Sequence, residues 1–258
     1  LIAWRLEHYE ELPSTSDFCA ERAKAGEPEG LAVTAARQTA GRGSRGRTWA
    51  SPPGNLALSV LLRPSHPRHA GESRHPRLPP SATASSMYPL LAGVAVADAI
   101  KTFCPPSVTS ILKWPNDLLL NGQKCAGLLI DATQTQDRID WLVIGIGINI
   151  AYAPEVPGRA TTSLADHGAE TTAIAVAAAV LDHLATWLDI FQTFGPIRII
   201  PSWLSRAHPI GEQLEVKTPD RKTAGAFAGL SPTGELLLRV ENRIETFRTG
   251  ELLLGTRT

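Results

Sequence analysis

Cysteine is scarce in this chain and charge of one sign is not in excess, and each shortage removes a class of function. Cys19, Cys104 and Cys125 are odd in number, scattered, and in no C-x-x-C spacing, so neither a disulfide framework nor a zinc site follows. The 25 Lys and Arg residues equal the 25 Asp and Glu residues, for a formal net charge of zero. That balance argues against broad electrostatic binding to nucleic acid or an anionic membrane, while leaving room for a local cationic pocket. No signal peptide, no apolar run long enough to span a bilayer and no internal repeat is expected, and a reducing cytoplasm is the default compartment. What is present is ordinary for a globular protein: 258 residues, 43% hydrophobic and 19% charged. This length suffices for one large domain, or a domain with a small appendage.

Against that plain background two segments stand out. Lys113-Trp114-Pro115-Asn116-Asp117 follows the apolar Ser110-Ile111-Leu112 and leads into Leu118-Leu119-Leu120. A lysine at the end of a buried strand is costly unless an anion meets it, and the proline stops the strand. The run reads as a strand end offering one cation to a ligand, or as a plain strand-to-turn transition with Lys113 reaching water. The second segment, Gly41-Arg42-Gly43-Ser44-Arg45-Gly46-Arg47-Thr48-Trp49, places three arginines and three glycines before a tryptophan. Glycines let backbone approach a ligand, arginines offer forks of donors for phosphate or carboxylate, and Trp49 supplies a stacking face. A solvated loop is the bland alternative. A nucleic-acid-binding RGG segment needs longer repetition and a basic domain. A P-loop must open a helix, and Pro52-Pro53-Gly54 does not continue one.

The remaining pattern is that of an α+β protein with a mixed or antiparallel sheet. Ser14 caps a short helix over Asp17 to Lys24, with Asp17 placed as in a capping box. Leu31 to Ala36 and Leu56 to Leu62 read as strands, Met87 to Lys101 as a helix, and Asn121-Gly122 as a type I′ hairpin turn. Pro64 to Pro80, with His66, His69 and His75, reads as a solvated loop, since the histidine spacing matches no metal-ligand pattern. Trp141 to Ile150 is a strand broken by Gly145 and Gly147, which marks either a bulge or close approach of a ligand. A long helix should present Ile174, Ala177, Ala178, Leu181, Leu184, Leu188 and Phe191 on one face, and Pro196 to Ala207 a short helix. From about Pro209 four short strands suggest a small β-barrel, which sets the expected domains at 1–208 and 209–258.

The chain resembles the biotin–protein ligases. The resemblance rests on Ser14-Thr15-Ser16, on Arg37-Gln38-Thr39-Ala40-Gly41-Arg42-Gly43, and on Arg45-Gly46-Arg47-Thr48-Trp49. It rests equally on Lys113-Trp114-Pro115-Asn116-Asp117, on Lys124-Cys125-Ala126-Gly127-Leu128-Leu129, and on Gly145-Ile146-Gly147-Ile148-Asn149, all in the family's order. It implies a biotin/lipoate ligase catalytic fold related to class II aminoacyl-tRNA synthetases, with an SH3-like barrel at the tail. With no helix-turn-helix ahead of the catalytic start, the monofunctional type without a DNA-binding domain is expected. The implied reaction attaches biotin to a lysine of a biotin carboxyl carrier protein through biotinyl-5′-AMP. ATP and biotin are the substrates, Mg²⁺ accompanies ATP, and no protein-held metal, nucleic acid or membrane is involved; a homodimer is compatible with the family. The resemblance gives Lys113 and Arg42 catalytic roles. It places biotin against Ser14, Thr15, Ser16, Gln38, Gly41, Arg42, Lys113, Gly127, Gly145 and Gly147. It places the nucleotide against Arg45, Arg47, Trp49, Lys113, Asn116 and Asn149. Ser44 stands where the family usually has arginine: either the adenylate is held less tightly, or Arg45, or the Ser44 hydroxyl with Arg47, compensates, and compensation is expected. The alternatives are a lipoate–protein ligase or octanoyltransferase, and a non-catalytic biotin- or nucleotide-binding module.

Overall fold

The computed structural model describes residues 1–64, 86–135 and 138–253. The Pro64–Pro80 segment and its histidines therefore lie almost wholly outside the described residues. The main sheet is built from β1 (Arg5–Leu12), β2 (Leu31–Gln38), β3 (Leu56–Leu62), β4 (Ser110–Lys113), β5 (Asp117–Leu120), β6 (Gln123–Thr135) and β7 (Arg138–Ile148). Among the described residues these seven strands lie in the order β1-β2-β3-β7-β6-β5-β4. Of these strands β1 and β2 pair in parallel, and the helix α1 (Thr15–Lys24) makes the crossover that a parallel pair demands. The sheet is mixed, as the pattern predicts.

Alternation along the strands decides where the core sits and where a hollow opens. Leu56, Leu58, Val60 and Leu62 of β3, with Leu142, Ile144, Ile146 and Ile148 of β7, join α2 (Met87–Lys101) in one continuous core. Each such aliphatic side chain contributes about 1.5–3 kcal/mol on full burial. On the opposite face Leu61 and Val143 pack with Cys19 and Ala23 of α1. Further along that same face, the alternation brings up Ala57, Ser59, Gly145 and Gly147. Small residues on two neighbouring strands leave a depression beside the start of α1.

Two helices complete the α2 layer: α3 (Ala173–Phe194) and α4 (Pro196–Leu204). Of the expected α3 face, Ala177, Leu181, Leu184 and Leu188 are buried and Phe191 packs on the core, but its N-terminal part is shifted. Val176 and Val180 are buried, whereas Ile174 is 47% exposed and Ala178 faces outward. Length and composition alone would let α3 cross a membrane, contrary to expectation, but Val176, Leu181, Leu184 and Leu188 are buried in the same core as α2. Ser14 caps α1, its Oγ accepting from the Asp17 backbone N–H at 3.2 Å. The Asp17 carboxylate turns instead to Arg42, at 2.9 Å. At the expected hairpin, Asn121 and Gly122 both take positive φ, 47° and 81°, the geometry of a type I′ turn.

The C-terminal strands β8 (Gln213–Lys217), β9 (Lys222–Leu230), β10 (Leu236–Val240), β11 (Arg243–Phe247) and β12 (Glu251–Leu253) form an antiparallel sheet. Their order is β11-β10-β9-β8-β12. The strand β12, three residues long, is too short to show a sequence period. Phe227, Leu236, Leu238 and Leu252 are buried in the core that also holds α2, and Trp114 Nε1 donates to Gly234 O at 3.2 Å. The small β-unit is thus packed against the α2 layer and the turn between β4 and β5.

Candidate active site

The depression on the α1 side is a cavity of about 260 Å³. Ala57, Gly127, Gly145 and Gly147 form part of its wall, and Thr15, Ser16 and Gln38 stand at one end. The 42–49 loop closes over it, and Asn116, Lys124, Asn149 and Arg159 stand around the remainder. Two glycines are there for close approach. A Cβ on Gly145 would collide with Ser16 Oγ, and one on Gly147 would collide with the Trp49 indole. Gln38 Oε1 accepts from the Thr15 backbone N–H at 2.8 Å, while Gln38 Nε2 donates to Ser51 Oγ at 2.8 Å.

The arginine loop is gathered by carboxylates. Gly43 N–H donates to Arg47 O at 2.7 Å and Trp49 N–H to Gly41 O at 2.9 Å. Arg42 pairs with Asp17 and with Asp131. Arg45, at φ 61°, and Arg47 both reach Glu251 of β12, at 3.1 and 3.2 Å, and Arg159 joins them on the same carboxylate. One side chain from the C-terminal sheet therefore meets three guanidinium groups. Arg47 also donates to Ser44, through Nη2 to Oγ at 3.0 Å and Nε to the carbonyl at 3.2 Å. Arg47 is thus bonded to the Ser44 hydroxyl, whereas Arg45 does not line the cavity.

The lysines are arranged differently from the sequence expectation. Lys113 ends β4 as anticipated, half-buried, but it is not among the residues lining the cavity. Burial pushes its ammonium pKa down, with Asp117 opposing and Lys124 and Arg47 adding to the fall. The lysine that lines the cavity is Lys124 of β6. Its Nζ lies 2.5 Å from Asp117 Oδ1 and 5.4 Å from the centroid of the Trp49 ring, the latter a cation–π distance. Asn116 donates to Leu128 O at 2.6 Å and Asn149 to Thr162 O at 3.1 Å. Two buried polar atoms here have no partner: Trp49 Nε1 and Asn149 Oδ1.

Of the expected site residues the cavity brings together Thr15, Ser16, Gln38, Arg42, Arg47, Trp49, Asn116, Gly127, Gly145, Gly147 and Asn149. Ser14, Gly41, Arg45 and Lys113 lie outside its wall; Ser14 serves as the helix cap, and Gly41 packs against Gln38 and the Trp49 carbonyl. Sequence reasoning missed Lys124, Arg159 and Glu251. A lysine inside the otherwise apolar Cys125–Leu129 neighbourhood was a signal for the first. The other two are distant in sequence and carry no local signal.

The model of the Biotin/lipoate A/B protein ligase family matches residues 18–205. The chain belongs to that family. The biotin–(acetyl-CoA-carboxylase) ligase of Paracoccus denitrificans is 33% identical over 231 residues, covering 86% of this chain and 90% of that protein. The structure of a biotin protein ligase from Aquifex aeolicus in complex with biotin and ATP matches with a TM-score of 0.77 at 27% identity, over 96% of this chain and 97% of that one. The Leishmania major biotin protein ligase in complex with biotinyl-5-AMP matches with a TM-score of 0.62 at 28% identity, over 95% and 99%. The expected α+β biotin ligase fold with a small C-terminal β-unit stands.

Proposed function

We propose that this family member is a biotin–protein ligase. A biotin carboxylate oxygen attacks the α-phosphorus of ATP, forming one O–P bond and releasing pyrophosphate. The amine of a carrier-protein lysine then attacks the biotinyl carbonyl, forming the amide and releasing AMP. The observation that carries this reading is a single cavity with hydroxyls and a carboxamide at one end and several cations around the rest. Thr15, Ser16 and Gln38 suit a small polar ring, and the glycine wall suits its close approach. Lys124, Arg42, Arg47 and Arg159 suit the carboxylate and phosphate oxygens on which charge develops. The orphaned Asn149 Oδ1 suits the exocyclic amine of adenine.

In this reading Lys124 is the cation nearest the reacting carboxylate, and Lys113 supports it from behind through their shared neighbour Asp117. Mg²⁺ arrives with the triphosphate. Phosphate oxygens and water would supply its ligands. The carrier is a biotin-accepting domain of a carboxylase. We read residues 1–208 as the catalytic unit and 209–258 as a β-domain that reaches back through Glu251. Three unpaired cysteines suit the reducing cytoplasm. Pyrophosphate release from ATP, measured without any carrier, tests the first step. It should depend on biotin; release that depends on lipoate or octanoate and ignores biotin would overturn the assignment.

A further inference from the structure

A chain of hydroxyls runs beneath the cavity, and its central member, Ser59, is absent from the cavity wall. Ser59 is fully buried on β3, opposite Gly145 of β7. Its Oγ lies 2.8 Å from Thr15 Oγ1 and 3.0 Å from Ser16 Oγ. Thr15 Oγ1 is in turn 3.1 Å from Gln38 Oε1.

The direction of every bond in this chain follows from one fixed donor. A backbone N–H only donates, so the Gln38 atom 2.8 Å from the Thr15 N–H is the carboxamide oxygen. The Gln38 nitrogen at the other side, 2.8 Å from Ser51 Oγ, agrees. A carboxamide oxygen only accepts, and each hydroxyl has one proton. The Thr15 hydroxyl therefore donates to Gln38 and accepts from Ser59. Ser59, its proton committed, accepts from Ser16. All three contacts are made at once in this polarity only: Ser16 to Ser59 to Thr15 to Gln38. Ser16 Oγ is left with lone pairs alone to offer the cavity that it lines. Gly145 provides the space, since a Cβ there would collide with that same oxygen.

We propose that Ser59 is a positioning residue for substrate recognition. By taking the Ser16 proton it makes Ser16 an obligate hydrogen-bond acceptor. The site then selects a ring N–H, as a cyclic urea presents, over an acceptor at the same place. The inference rests on the biotin reading given above and adds to it the residue that sets the polarity of recognition.

The test compares biotin with its two cyclic carbamate analogues, in each of which one ureido N–H is replaced by oxygen. Binding to the full chain is measured by competition calorimetry. The wild type should disfavour one of the two carbamates by roughly 10- to 100-fold, the cost of facing two acceptors at a buried site. In Ser59→Ala the Ser16 proton is free to turn toward the ligand, so the ratio should fall to within about threefold, with biotin affinity reduced by less than about tenfold. Ser59→Cys, close in volume and only a weak hydrogen-bonding group, should move the ratio in the same direction and carries the test if the alanine variant does not fold. An unchanged ratio in the folded variants overturns the proposal, and so does a wild type that takes both carbamates as readily as biotin. Failure of the wild type to bind biotin at all would overturn the functional assignment itself, so the two failures are read separately.

Discussion

Replacing Lys124 by alanine should lower biotin-dependent pyrophosphate release by about 10²–10³, the usual loss when one preorganised electrostatic stabiliser is removed. The same change in Lys113 should cost less, because Lys113 does not line the cavity. The stability effect can be bounded from the structure. Lys124 and Asp117 pair at 2.5 Å with side chains 18% and 13% exposed. Breaking a buried pair from one side costs about 3–5 kcal/mol. Here Lys113 still acts on Asp117, so a loss of about 1–3 kcal/mol is expected, short of unfolding a typical domain. Single-turnover pyrophosphate release gives the chemical step, calorimetry gives biotin affinity, and thermal denaturation shows that the variant is folded. Lys124→Ala should lose far more in the rate than in biotin affinity. A folded Lys124→Ala with a near-normal rate, beside a Lys113→Ala that loses a hundredfold, would refute the assignment of roles to the two lysines.

Three further outcomes follow from the same contacts. Glu251→Gln removes the carboxylate shared by Arg45, Arg47 and Arg159, so amide hydrogen exchange over residues 42–49 should quicken; unchanged protection would show that the C-terminal sheet does not hold the loop. Burial pushes the Cys19 thiol up to about 12 and raises Cys125 as well, so at pH 8 a thiol reagent should modify half-buried Cys104 first and leave the other two until the chain unfolds. Rapid loss of all three thiols would contradict the packing. Burial lowers the Lys113 pKa below its ordinary 10.5, so the unfolded chain holds the extra proton in the window beneath that value. Wild-type stability should therefore rise with pH there relative to Lys113→Met; parallel pH profiles for the two proteins would rule out a strained charge at this position.

Much of the frame was legible because local chemistry and tertiary packing agree. Asn121-Gly122 specifies its turn by the positive φ that both residues tolerate, and β3 coincides with the expected Leu56–Leu62 because its apolar run is bounded by turn residues. The face of α3 was legible from Leu181 onward, but not over its alanine-rich start, which has several nearly equivalent apolar stripes; packing there selected Val176 and Val180 over Ile174 and Ala178. The glycines of β7 were visible as a break in a strand, but their reason, room for Ser16 and Trp49, exists only across elements. The same holds for the site. Loop arginines and wall residues announce themselves in short motifs. Glu251 is an ordinary glutamate until β12 brings it beside Arg45, Arg47 and Arg159. Lys113 attracted attention through its motif, whereas Lys124 acquires its place from the hairpin that folds β6 back along β5.

The proposed activity is ATP-driven transfer of biotin to a protein lysine. It is tested most directly by incubating the chain with ATP, biotin and a biotin-carrier domain and weighing the intact carrier. One added biotinyl group per carrier is expected, dependent on both ATP and biotin and lost when the acceptor lysine is changed to arginine. An unmodified carrier in the presence of a folded, biotin-binding protein would contradict it and leave a ligand-binding module instead.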